Sequence, residues 1–266
     1  MLGDQADDDF RDSMDAGLAS LVPGRHEPLA GFQLAFVDSS GLRRQEPLAV
    51  AWSCRFESGQ PVRSFPSRQG QRNFPGLWWS ATTGQHVGFE SWLEREHVML
   101  LDFDPAVVAF SSQPFRVLWH DGQRRRNHTP DFFARLADGS GLVVDVRADD
   151  QIPAADAEAF EATATACAQV GWAYRRVGVP DAVLTANVRW LAGYRHPRCC
   201  DDAVAVRLRK AFAQPVPLLA GVRSVGDPIA VLPVAYHLLW ARALDADLAI
   251  APLSQSSLVS VADGGS

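Results

Sequence analysis

The chain has 266 residues, 47% hydrophobic and 21% charged, with a formal net charge of −6. That size and balance suit an ordinary soluble globular protein of one large or two modest domains, and the net charge argues against a nonspecific nucleic-acid binder. No stretch approaches the roughly 20 apolar residues of a membrane helix, and the acidic N-terminus is unlike a signal peptide, so the reading is cytoplasmic with no membrane partner.

Taken in chain order, residues 1–28 read as weakly ordered, with six aspartates and one arginine over 4–15. Strands are predicted over 31–37 and 47–55, then a polar Gly/Arg/Pro loop over 60–76. From Gly88 the spacing predicts a helix, with Phe89, Leu93 and Leu100 on one stripe, ending before Asp104-Pro105. Short strands follow over 107–111 and 115–120, then a turn at Asp121-Gly122 and a strand that reaches Asp131. After a turn at Asp138-Gly139 comes the alternating strand 142–147. A helix over about 154–170 closes at Gly171, followed by a strand over 172–179 and a helix over 181–191. Beyond Pro197, helices are predicted over 202–212, 216–222 and 228–244, then a hairpin of Ala249-Ile250 with Leu258-Val259.

The chemistry concentrates on the two strands around the Asp138-Gly139 turn. Asp145 and Arg147 differ by two positions, so they share one face of their strand while Val144 and Val146 take the other. Asp131 lies fourteen positions before Asp145, room for one strand out and one back. Two carboxylates and a cation are the parts of a site for phosphodiester hydrolysis: magnesium takes one or two carboxylates, with water and substrate phosphate completing its shell. Glu90 and Glu94, four apart on one helix face, each offer a third acid, Glu90 being the more solvated of the two. His97 follows Glu94 by about one turn and reads as a core or surface histidine, while His128, at an odd offset of three from Asp131, is expected to face away. Against the site stand plainer alternatives: Asp131 as a turn residue and Asp145 as an edge-strand charge.

Cys54, Cys167, Cys199 and Cys200 lack metal-like spacing, so zinc is not expected. Lys210 is the single lysine among 25 basic residues, a skew that fits coding bias and weakens the meaning of any arginine found where lysine is hoped for. Residues 175–223 carry nine basic residues against Asp181, Asp201 and Asp202, which offers a phosphate-binding surface or simply solvated helix faces.

Glu94, Pro130-Asp131 and Asp145-x-Arg147 resemble the PD-(D/E)xK nuclease pattern. More narrowly, Phe89-Glu90-Ser91-Trp92-Leu93-Glu94-Arg95, Leu101-Asp102-Phe103-Asp104-Pro105, Gln113-Pro114-Phe115 and Thr129-Pro130-Asp131-Phe132 resemble the TnsA-like endonuclease subunit of heteromeric transposases. The resemblance spans residues 76–197. It implies an α/β fold with a restriction-endonuclease-like αβββαβ core there, after an acidic tail and β-containing extension over 1–75. It also implies a small winged-helix-like domain over 198–266 that binds DNA or a partner. Carried over residue by residue, Glu94, Asp131 and Asp145 are the metal ligands for Mg2+ or Mn2+, and these three with Arg147 are the catalytic set. The substrate implied is double-stranded DNA at transposon ends, cut on one strand, with an integrase-type transposase subunit as partner. Arg147 departs from the family's lysine; it keeps the charge but, with a pKa above about 12, cannot act as a base. The runner-up is a catalytically inactive subunit of the same fold that binds DNA or the partner transposase. Within 228–244 only His237 and Arg242 are basic, so that helix reads as core as readily as a groove reader.

Overall fold

Runs of β-branched and aromatic residues in this chain form strands wherever a neighbour covers both faces, and the computed structural model describes them over residues 31–63, 74–148 and 152–262. The expected acidic tail over 1–28 falls outside the described residues. The fold is mixed α/β, in two units: Met1–Leu77 with Gly88–Trp92 and Ala109–Val177, and Trp78–Val87 with Leu93–Val108 and Gly178–Ser266.

In the first unit, strands β1 (Gln33–Val37), β2 (Arg43–Pro47), β6 (Phe115–His120) and β7 (Arg125–His128) form a sheet in the order β2-β1-β6-β7. A second sheet has the order β10-β9-β8-β5, from β5 (Val107–Ser112), β8 (Phe132–Leu136), β9 (Gly141–Val146) and β10 (Ala173–Val177). Strand β9 is central, antiparallel to β8 and parallel to β10, so its residues 141–145 are buried on both faces. Between β9 and β10 runs helix α3 (Ala154–Gln169), which buries Thr163, Ala166 and Cys167. Gly171 ends it at φ 73, the left-handed turn that turns Trp172 back into the core. There the Phe56 ring meets Phe36, Phe115, Phe133 and Trp172 edge-on at 4.8–5.7 Å. Gly141 keeps β9 close to this cluster: a Cβ there would lie 2.7 Å from the Trp172 ring.

Strands β3 (Gly76–Trp79) and β4 (His86–Phe89) pair as a two-stranded ribbon, and helix α2 spans Trp92–Phe103. The expected helix start at Gly88 is therefore corrected, because His86–Phe89 alternate in exposure and pair as a strand. The expected strand over 47–55 is corrected as well. Polar, exposed Arg43–Pro47 is the edge strand on β1, and helix α1 (Leu48–Ala51) and a 3-10 turn at Phe56–Ser58 follow it.

The second unit carries helices α4 (Ala182–Ala192), α5 (Asp202–Ala211), α6 (Leu218–Val225) and α7 (Pro228–Trp240). Asp181, Asp201 and Asp227 cap α4, α5 and α7 through backbone N–H groups of Leu184, Val204 and Ile229. Strand β11 (Val216–Pro217) lies between α5 and α6, and β12 (Leu244–Asp245) and β13 (Leu258–Val261) complete a sheet of order β11-β13-β12. Gly221 lets α6 settle on Phe212, whose ring would stand 2.3 Å from a Cβ. The expected hairpin of 249–250 with 258–259 is replaced by Leu244↔Val261 and Asp245↔Ser260, and α7 stops at Trp240. Asn187 in α4 accounts for the change: its amide donates to Leu248 and Ala251 carbonyls and accepts from Leu253 N–H, which holds 248–253 as an irregular loop. No helix among the described residues is long and apolar enough to cross a membrane.

Candidate functional site

Asp131 occupies a bend just before β8 instead of lying in a strand, because Thr129-Pro130 interrupts the ladder and Pro130 has no N–H to give it. Its carboxylate compensates. Asp131 Oδ2 accepts from Val146 N–H at 2.7 Å, one step beyond the Phe132↔Val144 pair, in the place of a backbone carbonyl. Continuing that register sets Asp131 opposite Asp145. The Asp131 carboxylate thus sits on the amide that joins Asp145 to Val146. The Asp131 carbonyl in turn accepts from Gln113 N–H at 2.8 Å. Gln113 has φ 47, is 2% exposed, and its Oε1 has no hydrogen-bond partner.

Asp145 is 1% exposed and stands on the central strand, so it is not an edge charge. One oxygen accepts from His128 Nε2 at 2.8 Å and the other from the Tyr174 hydroxyl at 2.8 Å. His128 therefore faces Asp145, against the parity expectation. The alternation of a pleat is not transmitted across the break at 129–131. Tyr174, in β10 opposite Val143, has no signal in the sequence beyond the alternation of its strand. Burial, then the charge of Asp145, push its hydroxyl far above the usual tyrosine range, so it remains a donor. The same two causes push the Cys167 thiol up to about 12, which leaves it inert.

Arg147 lies just past β9, its N–H on the Val177 carbonyl at 2.8 Å, and its guanidinium pairs with Asp156 in the first turn of α3. Asp131, Asp145 and Arg147 thus belong to one unit. Glu94 is in the first turn of α2, among the residues of the second unit. Glu90 precedes α2, so the two acids do not share a helix face; its carboxylate pairs with Arg63 at 2.7 Å in the first unit. His97 is structural, with Nε2 on the Gly178 carbonyl at 2.7 Å.

Among the described residues, no group of three or more His, Cys, Asp or Glu side chains is arranged to hold a metal ion. The donor set fits magnesium on other grounds. That ion takes oxygen ligands and needs only one or two carboxylates from protein. An ionised carboxylate offers about four acceptor positions, and Asp145 fills two, both from side chains without a fixed positive charge. A buried carboxylate so partnered is a costly charge, which a cation offsets.

Of the basic residues expected to form a phosphate surface, Arg189 pairs with Glu96, and Arg195 lies 4.1 Å over the Trp78 ring and donates to Trp79 O. Arg209 and Lys210 stay exposed on α5. Helix α7 is core: Val231, Val234, Ala235, Leu238, Leu239 and Trp240 are buried, and His237 is bound to the Tyr194 carbonyl. The four cysteines are free thiols. No protein-family model matches the chain, and no curated protein matches it.

Proposed function

We propose that the chain is a metal-dependent DNA endonuclease subunit of a heteromeric transposase, TnsA-like in kind, cutting one strand at transposon ends. The observation that carries this reading is the Asp131 carboxylate hydrogen-bonded to the Val146 amide, next to Asp145 on the neighbouring antiparallel strand. The helix–strand–helix–helix–strand–strand order over 202–261, with sheet order β11-β13-β12, supports a winged-helix-like module beside a restriction-endonuclease-like core.

Asp131 and Asp145 are the residues that would hold magnesium. Bound there, the ion would supply an activated water and offset charge on the phosphate. Asp131, half-buried where Asp145 is enclosed, is the acid that faces incoming phosphate and water. Arg147 remains charged throughout and steadies the anionic phosphate; it takes no proton. The expected partners are transposon-end DNA and an integrase-type transposase subunit.

A second reading, an inactive subunit that binds DNA or the partner, is favoured by the enclosure of Asp145 and the pairing of Arg147 with Asp156. Nicking of supercoiled DNA in Mg2+ or Mn2+, with the partner transposase present, separates the two. The endonuclease reading expects nicking that Asp131→Ala abolishes with the fold intact. DNA retention without nicking by the wild-type chain supports the second reading and contradicts the first.

A further inference from the structure

We infer that His128 and Tyr174 are the positioning residues of this site, which pin the Asp145 carboxylate so that its two remaining acceptor positions are held for a divalent cation. The inference rests on the endonuclease reading above and adds two residues that the motif pattern does not include.

A carboxylate on a strand is free to turn about its terminal torsion, the softest of the side chain. Here each oxygen is fixed separately, one by His128 from β7 and one by Tyr174 from β10. Rotation of the carboxylate breaks at least one of these bonds. The two donors are themselves held. The His128 ring stands edge-on to Phe160 of α3 at 5.6 Å, and Tyr174 is set by the parallel register with β9. An ionised carboxylate only accepts, so Nε2 carries the hydrogen toward Asp145 and the tyrosine acts as the hydroxyl donor. Partners of this kind orient metal ligands and tune their basicity, and their loss lowers metal affinity about 10- to 100-fold. A group that only needed burial would be expected to take backbone N–H donors from its own ladder, which are the cheapest to supply; Asp145 takes none.

The test is Mn2+ binding, read from the electron paramagnetic resonance of the free ion, together with the thermal midpoint of the metal-free protein. Tyr174→Phe and His128→Ala are expected to weaken Mn2+ binding about 10- to 100-fold while a cooperative melt is kept. His128→Gln, whose amide nitrogen replaces Nε2, is expected to restore affinity close to wild type. A merely structural pair would shift the midpoint and leave the affinity of the folded fraction unchanged, and that result overturns the inference. If Tyr174→Phe fails to melt cooperatively, the contrast between His128→Ala and His128→Gln decides the matter in the same way. Wild-type protein that binds no Mn2+, or binding that Asp131→Ala leaves intact, overturns the endonuclease reading itself.

Discussion

The two units each bury an aspartate, and they treat it differently. Asp102, on α2 in the second unit, is 5% exposed and accepts four hydrogen bonds: from Trp78 Nε1, Ser80 Oγ, Ala81 N–H and Thr82 N–H, at 2.7–3.1 Å. Every acceptor position is used, two of them by backbone groups that would otherwise lack a partner. Asp145 in the first unit is as deeply buried yet holds two donors, neither from the backbone. Asp102 ties the turn after β3 to α2. Asp145 keeps acceptor capacity in a place where acceptors are expensive to leave open, the signature of a group arranged for something other than holding the chain together.

Substitutions break or sharpen that contrast. The largest effect is expected at Asp102. Asp102→Ala strands four donors and should cost about 3 kcal/mol or more in urea unfolding, since each unsatisfied buried group costs roughly 1–3 kcal/mol. Little loss there would remove the contrast. Next comes acid. Burial lowers the His97 pKa below 6.5, with the Gly178 carbonyl opposing, so the stability tied to its neutral ring is complete above that value and is lost as pH falls below it. The unfolding free energy should fall by at most about 1.4 kcal/mol per pH unit from this group on descending from about pH 7 to about pH 5, and His97→Gln should flatten that limb. Asp145→Asn is expected to change stability by no more than about 1 kcal/mol, because the amide keeps a similar shape and sheds an uncompensated charge, but to abolish any response of the melting midpoint to Mn2+. Smallest is Asp156→Ala, which releases the half-exposed Arg147 guanidinium at a cost of about 0–1 kcal/mol.

Much of the fold was legible where the pattern is local. The alternation over 142–147 gave β9, the Asp138-Gly139 turn gave its pairing with β8, and the Gly171 stop closed α3 to within a residue or two. What the pattern missed is nonlocal. Nothing in Gln33–Val37 announces that it pairs with Phe115–His120, about 80 residues on, because antiparallel partners are chosen by packing. The hub at Asp102 reads in the sequence as one polar residue in an apolar stripe, since its partners lie about 20 residues upstream. At the site, Asp131, Asp145 and Arg147 were legible through spacing and type. His128 was visible but assigned to the wrong face, and Tyr174 is specified by strand β10, which comes 29 residues after the acid that it holds.

The central claim is that Asp131 and Asp145 together hold a divalent cation. Anomalous diffraction from crystals soaked in Mn2+ tests it most directly. The account predicts a single strong peak within bonding distance of an oxygen of each aspartate, with His128 and Tyr174 still bound to Asp145. A map without a peak there, or with one that touches neither acid, would contradict it.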